Sequence, residues 1–131
     1  MKLFAIRLQP GQDLRQSLKE FAITNQIRAG FILSAIGSLQ QAVIRFANQE
    51  NSVILDGKFE ILALNGTFSL YGIHLHIAIA DQSGTAIGGH LDNGCLVYTT
   101  AEIVIGEIPG LTFLRTPDPQ TEFLELEIQA D

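Results

Sequence analysis

Gly72-Ile-His-Leu-His-Ile-Ala-Ile-Ala-Asp-Gln-Ser-Gly-Thr-Ala-Ile-Gly-Gly-His-Leu91 holds every histidine of the chain and decides how it is read. Ile73, Leu75, Ile77 and Ile79 alternate with His74, His76, Ala78 and Ala80. A period of two puts the first set on a core face and the second on the opposite face of a strand. Asp81-Gln82-Ser83-Gly84 is rich in turn formers, and Thr85 to Leu91 reads as a returning strand. With Ala80 opposite Ala86, Ile79 meets Ile87, Leu75 meets Leu91 and His76 meets His90. This register keeps the apolar pairs together, whereas a slip of one residue would turn His90 into the core. Gly88-Gly89 either admits a close backbone approach or marks a bulge that bends the hairpin.

The same register brings three imidazoles to one face. His74, His76 and His90 are the ligand set of an open zinc centre, which keeps one position for water or substrate. Zinc is therefore the expected cofactor. The alternative is a set of polar residues on a partly exposed strand, hydrogen-bonded to their neighbours. The single cysteine, Cys95, lies near His90 in sequence and reads as a ligand, a nucleophile or simply a small buried residue.

Upstream, Gly57-Lys-Phe-Glu-Ile-Leu-Ala-Leu-Asn-Gly66 places Phe59, Ile61 and Ala63 on one face and Glu60, Leu62 and Leu64 on the other. A carboxylate among leucines would be desolvated and its pKa raised. Glu60 is thus the candidate catalytic acid–base or a fourth ligand; an ion pair with Lys58 or a solvated strand end is the plainer reading. Glu102 is a second candidate acid, with a cross-strand or inter-subunit hydrogen bond as its simpler role.

The remaining chain fits the same architecture. Residues 2–8 alternate as a strand, and Pro10-Gly11 ends it. Asp13 and Gln16 have the spacing of a capping box. Leu14, Leu18, Phe21 and Ala22 then share a helical face, predicting a helix over 13–25. Strands are expected at Ala29–Ile36, Gln41–Ala47, Gly57–Gly66, Thr67–Ala80 with a bend at Tyr71-Gly72, Leu96–Ile105, Leu111–Arg115 and Phe123–Ile128. The fold class is α+β, sheet-rich and largely antiparallel, with one main N-terminal helix.

At 131 residues the chain is expected to be one domain spanning 1–131, long enough to bury a core. No apolar run is long enough for a transmembrane helix, and the N-terminus does not read as a signal peptide. With one cysteine, the cytoplasm is the expected compartment. The formal net charge of −6 argues against a broad nucleic-acid surface, because the eight Lys and Arg residues are scattered along the sequence.

Taken together, Gly57-x-Phe-Glu-Ile-Leu-x-Leu-x-Gly66, His74-Leu-His76, Gly88-Gly-His-Leu91, Thr100-Ala-Glu102 and the earlier Gly30–Ser38 segment resemble the plant and prokaryote conserved (PPC) domain. The resemblance covers essentially the whole chain. It implies an α+β fold similar to that of acetolactate decarboxylase, assembly as a homotrimer, and metal at the positions of His74, His76 and His90. In plants the domain follows AT-hook motifs; no Arg-Gly-Arg-Pro hook occurs in these residues, so a DNA-binding role transfers poorly. Three functions follow as expectations. The first is a trimeric zinc protein, acting as a lyase or hydrolase on a small molecule. The second is a DNA-associated regulator. The third is a structural interaction module, with Phe113 and Leu114 as interface candidates.

Overall fold

The computed structural model describes all of residues 1–131. Its elements are β1 (Lys2–Leu8), α1 (Leu14–Thr24), β2 (Gly30–Arg45), β3 (Val53–Ser69), β4 (Gly72–Ala80), β5 (Ala86–Leu91), β6 (Leu96–Glu107), β7 (Leu111–Pro117) and β8 (Leu124–Ala130). Strands β1 to β6 form one antiparallel sheet in the order β1-β6-β2-β3-β4-β5, and β7 pairs with β8. The expected α+β, sheet-rich, antiparallel class is what the chain adopts. No helix is long and apolar enough to cross a membrane.

β2 is long enough to take two partners along one edge. Gly30 to Gln41 pair with β6, and then Ile44 and Arg45 pair with Leu91 and His90 of β5. Its other edge pairs with β3. Strands β2, β3, β4 and β5 therefore close on one another, and the sheet rolls around its own apolar face. Leu39, Ile44, Phe68, Leu75, Ile79, Leu91 and Val97 lie fully buried in one cluster with Leu14, Leu18 and Ala22 of α1.

Two pairs of expected elements differ from this arrangement. Ala29–Ile36 and Gln41–Ala47 are one strand, not two, with register irregularities between Ile32 and Ser34, Gly37 and Leu39, and Leu39 and Gln41. Gly37-Ser38 resembled a break, but bulges let a long strand bend without ending. The Tyr71-Gly72 bend is a full reversal: Ser69 pairs with Gly72, so β3 extends to Ser69 and β4 starts afresh. Leu70 and Tyr71 carry no turn signature. The turn is held instead by buried Ser69, whose hydroxyl accepts from the Tyr71 N–H (3.0 Å) and donates to the Phe113 carbonyl (2.7 Å). Phe113 is itself buried, which removes it from the exposed interface candidates; Leu114 is half-buried.

The helix begins as expected. Asp13 caps α1 by accepting from the Gln16 N–H at 2.9 Å, and its second oxygen accepts from the Gly94 N–H at 2.6 Å. Gln16 does not reach back to complete the box; it donates to Glu20. Because one carboxylate both caps the helix and ties down the loop before β6, Asp13→Ala is expected to cost about 1–2 kcal/mol. Urea denaturation checks this, and an unchanged midpoint would show that neither bond contributes.

Candidate metal centre

The β4–β5 hairpin has the register read from its apolar pattern: Ala80 pairs with Ala86, Ile79 with Ile87 and His76 with His90. Asp81 shapes the turn, its Oδ1 accepting from the Ser83 N–H (2.9 Å), the Ser83 hydroxyl (2.7 Å) and the Thr85 N–H (3.0 Å). Gly88 and Gly89 act by close approach, and pairing between β4 and β5 runs through them without a bulge. A Cβ on Gly88 would stand 2.5 Å from the Ile77 carbonyl oxygen, and one on Gly89 would stand 2.6 Å from that of Arg45. The glycine pair thus lets β5 wedge between β4 and β2, which carries His90 to its place.

Across the closed sheet, register pairs make a row of Arg45, His90, His76 and Asn65, with His74 one step along and paired with Thr67. The imidazole centroids of His74 lie 5.1 Å from those of both His76 and His90, and the His76–His90 separation is 5.9 Å. One nitrogen from each ring can be chosen so that all three lie within 4.8 Å of one another. A tetrahedral zinc with bonds of about 2.0–2.1 Å needs nitrogens about 3.3 Å apart, so the three rings would have to draw together to hold one. His76 is exposed and His90 half-buried, so the cluster opens to solvent. His90 Nδ1 is buried without a hydrogen-bond partner. Such an atom is costly in a folded chain, and a metal would satisfy it. The donor set and this orphaned nitrogen fit a metal.

The electrostatics agree. Burial first, then Arg45 and the other two histidines, push the His90 pKa down from 6.5 to about 4. Burial, then Arg115 and His76, lower that of His74. Both rings therefore keep lone pairs free at neutral pH. In the unfolded chain His90 takes up a proton near pH 6.5, whereas in the folded chain it resists until about 4. The unfolded state then binds more protons, so the metal-free protein is expected to lose stability as pH falls through this window and to hold it above 6.5. Denaturation midpoints across pH 4–7 test this; an equal slope in His90→Asn would place the acid sensitivity elsewhere.

Glu60 does not join the cluster. It is exposed and pairs with Ala80, four residues along β4 from His76 and hence about 13 Å away at ~3.3 Å per residue. A register irregularity between Ile61 and Ala63 resets the alternation: Leu64 turns inward with Phe59 and Ile61, while Leu62 stays exposed with Glu60. Leu64 is thereby removed from the face of Glu60, and the remaining neighbour on it, Leu62, is itself exposed, so Glu60 is not enclosed by leucines. Glu102 is exposed opposite Arg7 of β1. Cys95 is fully buried, its sulfur accepting from the Val43 N–H, and burial raises its pKa to about 11, so it is an inert core thiol.

The carboxylate that does line the histidine cavity is Glu125 of β8, and Arg15, Arg45 and Arg115 line it too. These arginines are scattered along the sequence, and positions 15, 45 and 115 share no motif that would announce their meeting. Arg115 donates to the Thr67 hydroxyl at 3.1 Å. Burial lowers its pKa, with Glu125 opposing.

The rolled sheet and its solvent-open triad define a sheet-rich α+β domain whose three imidazoles could hold a metal. The chain belongs to the Plants and Prokaryotes Conserved (PCC) domain family, whose model matches residues 1–109. It is 50% identical over 129 residues to the bifunctional protein GlmU of Synechococcus sp. (strain JA-2-3B'a(2-13)), covering 98% of this chain and 20% of that protein. It is 32% identical over 114 residues to AT-hook motif nuclear-localized protein 13 of Arabidopsis thaliana, covering 77% of this chain and 25% of that protein. The chain thus spans a quarter or less of the length of these relatives. A hypothetical protein from Salmonella cholerae-suis (Salmonella enterica) has a solved structure that matches with a TM-score of 0.96 at 45% identity, covering 98% of this chain and 94% of that one. A metal-containing protein from Archaeoglobus fulgidus matches with a TM-score of 0.81 at 30% identity, covering 97% and 94%.

Proposed function

We propose that this chain is a zinc-binding protein in which His74, His76 and His90 hold one ion, and that the centre acts on a small molecule. The observation that carries the reading is the convergence of three imidazole nitrogens within 4.8 Å, one ring bearing an orphaned buried nitrogen. The metal-containing relative from Archaeoglobus fulgidus supports it. Held there by His74, His76 and His90, zinc would supply Lewis acidity toward a small-molecule substrate, chemistry that a lyase or hydrolase can use. The protein's own part is to keep His74 and His90 unprotonated and to hold their strands in register. Elemental mass spectrometry tests the reading: about one zinc per chain is expected, and none after reconstitution with zinc chloride would overturn it.

Assembly as a homotrimer belongs to the same proposal. Gly37 pairs with Ile61, which sets exposed Ile36 beside exposed Leu62, and Leu33 is exposed on the same strand as Ile36. Exposed apolar side chains that lie side by side are what a subunit contact would cover. Sedimentation of a monomer at micromolar concentration would contradict the trimer.

A DNA-associated role is the second reading, favoured by the likeness to an AT-hook motif nuclear-localized protein and opposed by the net charge of −6. It requires duplex affinity that falls steeply with salt; no binding at low salt rules it out.

A further inference from the structure

We propose that the cavity beside the three histidines binds a small-molecule oxyanion, a carboxylate or phosphate group, through Arg45 and Arg115 with Arg15 at its margin. The proposal rests on the metal-centre reading and names its substrate class. Arg45 is the cross-strand partner of His90, so it enters from β2 on one side of the triad. Arg115 enters from β7 on the other. Arg15 comes from α1. All three line one cavity of about 560 Å³ together with His74 and His90, a volume suited to a small ligand.

Charge makes this convergence informative. Three of the eight Lys and Arg residues of an acidic chain meet here, against one lining carboxylate, Glu125. None of the three is ion-paired, since Arg28–Asp131 is the chain's one salt bridge within 4.0 Å. Each arginine makes a single side-chain hydrogen bond. Arg15 donates to Asn93 Oδ1 (3.0 Å), Arg45 to the Gln49 carbonyl (3.3 Å) and Arg115 to Thr67 Oγ1 (3.1 Å). A guanidinium has five N–H donors in a planar fork, so most of each fork is left to bind, and forks of this kind grip carboxylate and phosphate with two parallel bonds.

Arg115 is also held in place. Gly72 leaves room for it, because a Cβ there would stand 2.6 Å from Arg115 Cγ, and Thr67 fixes its head beside His74. Three guanidinium groups against the single carboxylate of Glu125 leave an excess of positive charge that repels itself, and a bound anion would relieve that repulsion. Phe123 and Leu124 line the same cavity and would cover the carbon part of a ligand.

The test is calorimetric titration of inorganic phosphate, and separately of acetate, into metal-free and zinc-loaded protein. Arg45→Gln, Arg115→Gln and the double variant are titrated in parallel. At least one anion should bind, each single variant should weaken it roughly tenfold, and zinc stoichiometry should stay unchanged. The tighter of the two anions shows which oxyanion the site prefers. Circular dichroism checks folding, and Arg45→Gln, on a different strand, carries the test if Arg115→Gln fails to fold. No binding of either anion, or binding unchanged in the double variant, overturns the proposal. If zinc itself fails to bind, the metal-free titration still reads the arginines, so failure of the metal centre and failure of the anion site are told apart.

Discussion

His76→Ala is expected to abolish stoichiometric zinc and leave the fold standing. Losing one of three nitrogen ligands should weaken zinc binding on the order of a thousandfold, about 4 kcal/mol. The fold should survive because His76 is exposed, and the buried side chains of its strand, Leu75, Ile77 and Ile79, are untouched. Zinc content by mass spectrometry and thermal melting of the chelated protein check the two halves separately. Retained zinc would remove His76 from the ligand set. A lower melting temperature in the chelated variant would show instead that the ring stabilises the sheet without metal.

Gly89→Ala should destabilise the sheet and disturb the site together. The new Cβ would stand 2.6 Å from the Arg45 carbonyl oxygen and 2.8 Å from Ile44 Cγ2. The oxygen belongs to backbone and cannot rotate away, so β5 must part from β2. Overpacking of this kind costs about 2–3 kcal/mol, or roughly 6–12 °C in melting temperature for a chain of this size. His90 is the next residue and pairs with Arg45, so zinc affinity should fall as well. Thermal melting and a zinc titration on the same sample check both. Unchanged values would mean that β2 and β5 need not close for the site to form.

The two variants separate what pattern shows from what packing decides. The hairpin register was legible because one face of β4 is apolar and the other is not. Burying Ile79 and Ile87 together allows one pairing, and His76 opposite His90 follows from it. The Leu70-Tyr71 reversal was not legible, because the constraint holding it is a bond from Ser69 to a carbonyl 44 residues away. The surroundings of Glu60 were not legible for a related reason. They depend on a bulge that shifts the inward set from Ile61 to Leu64, and no residue type announces that shift.

Local periodicity thus carried the α+β class, the capped helix and the three histidines, since period two and period 3.6 act between near neighbours and are written in residue order. The rest came from closure. Arg45 reaches His90 because β2 outlasts β6 and then takes β5 as a partner, and Arg115 reaches His74 because β7 crosses over a glycine. Those meetings join residues tens of positions apart, so they depend on which strand edges pair and where glycine leaves space. Side-chain alternation within any one strand does not contain that information.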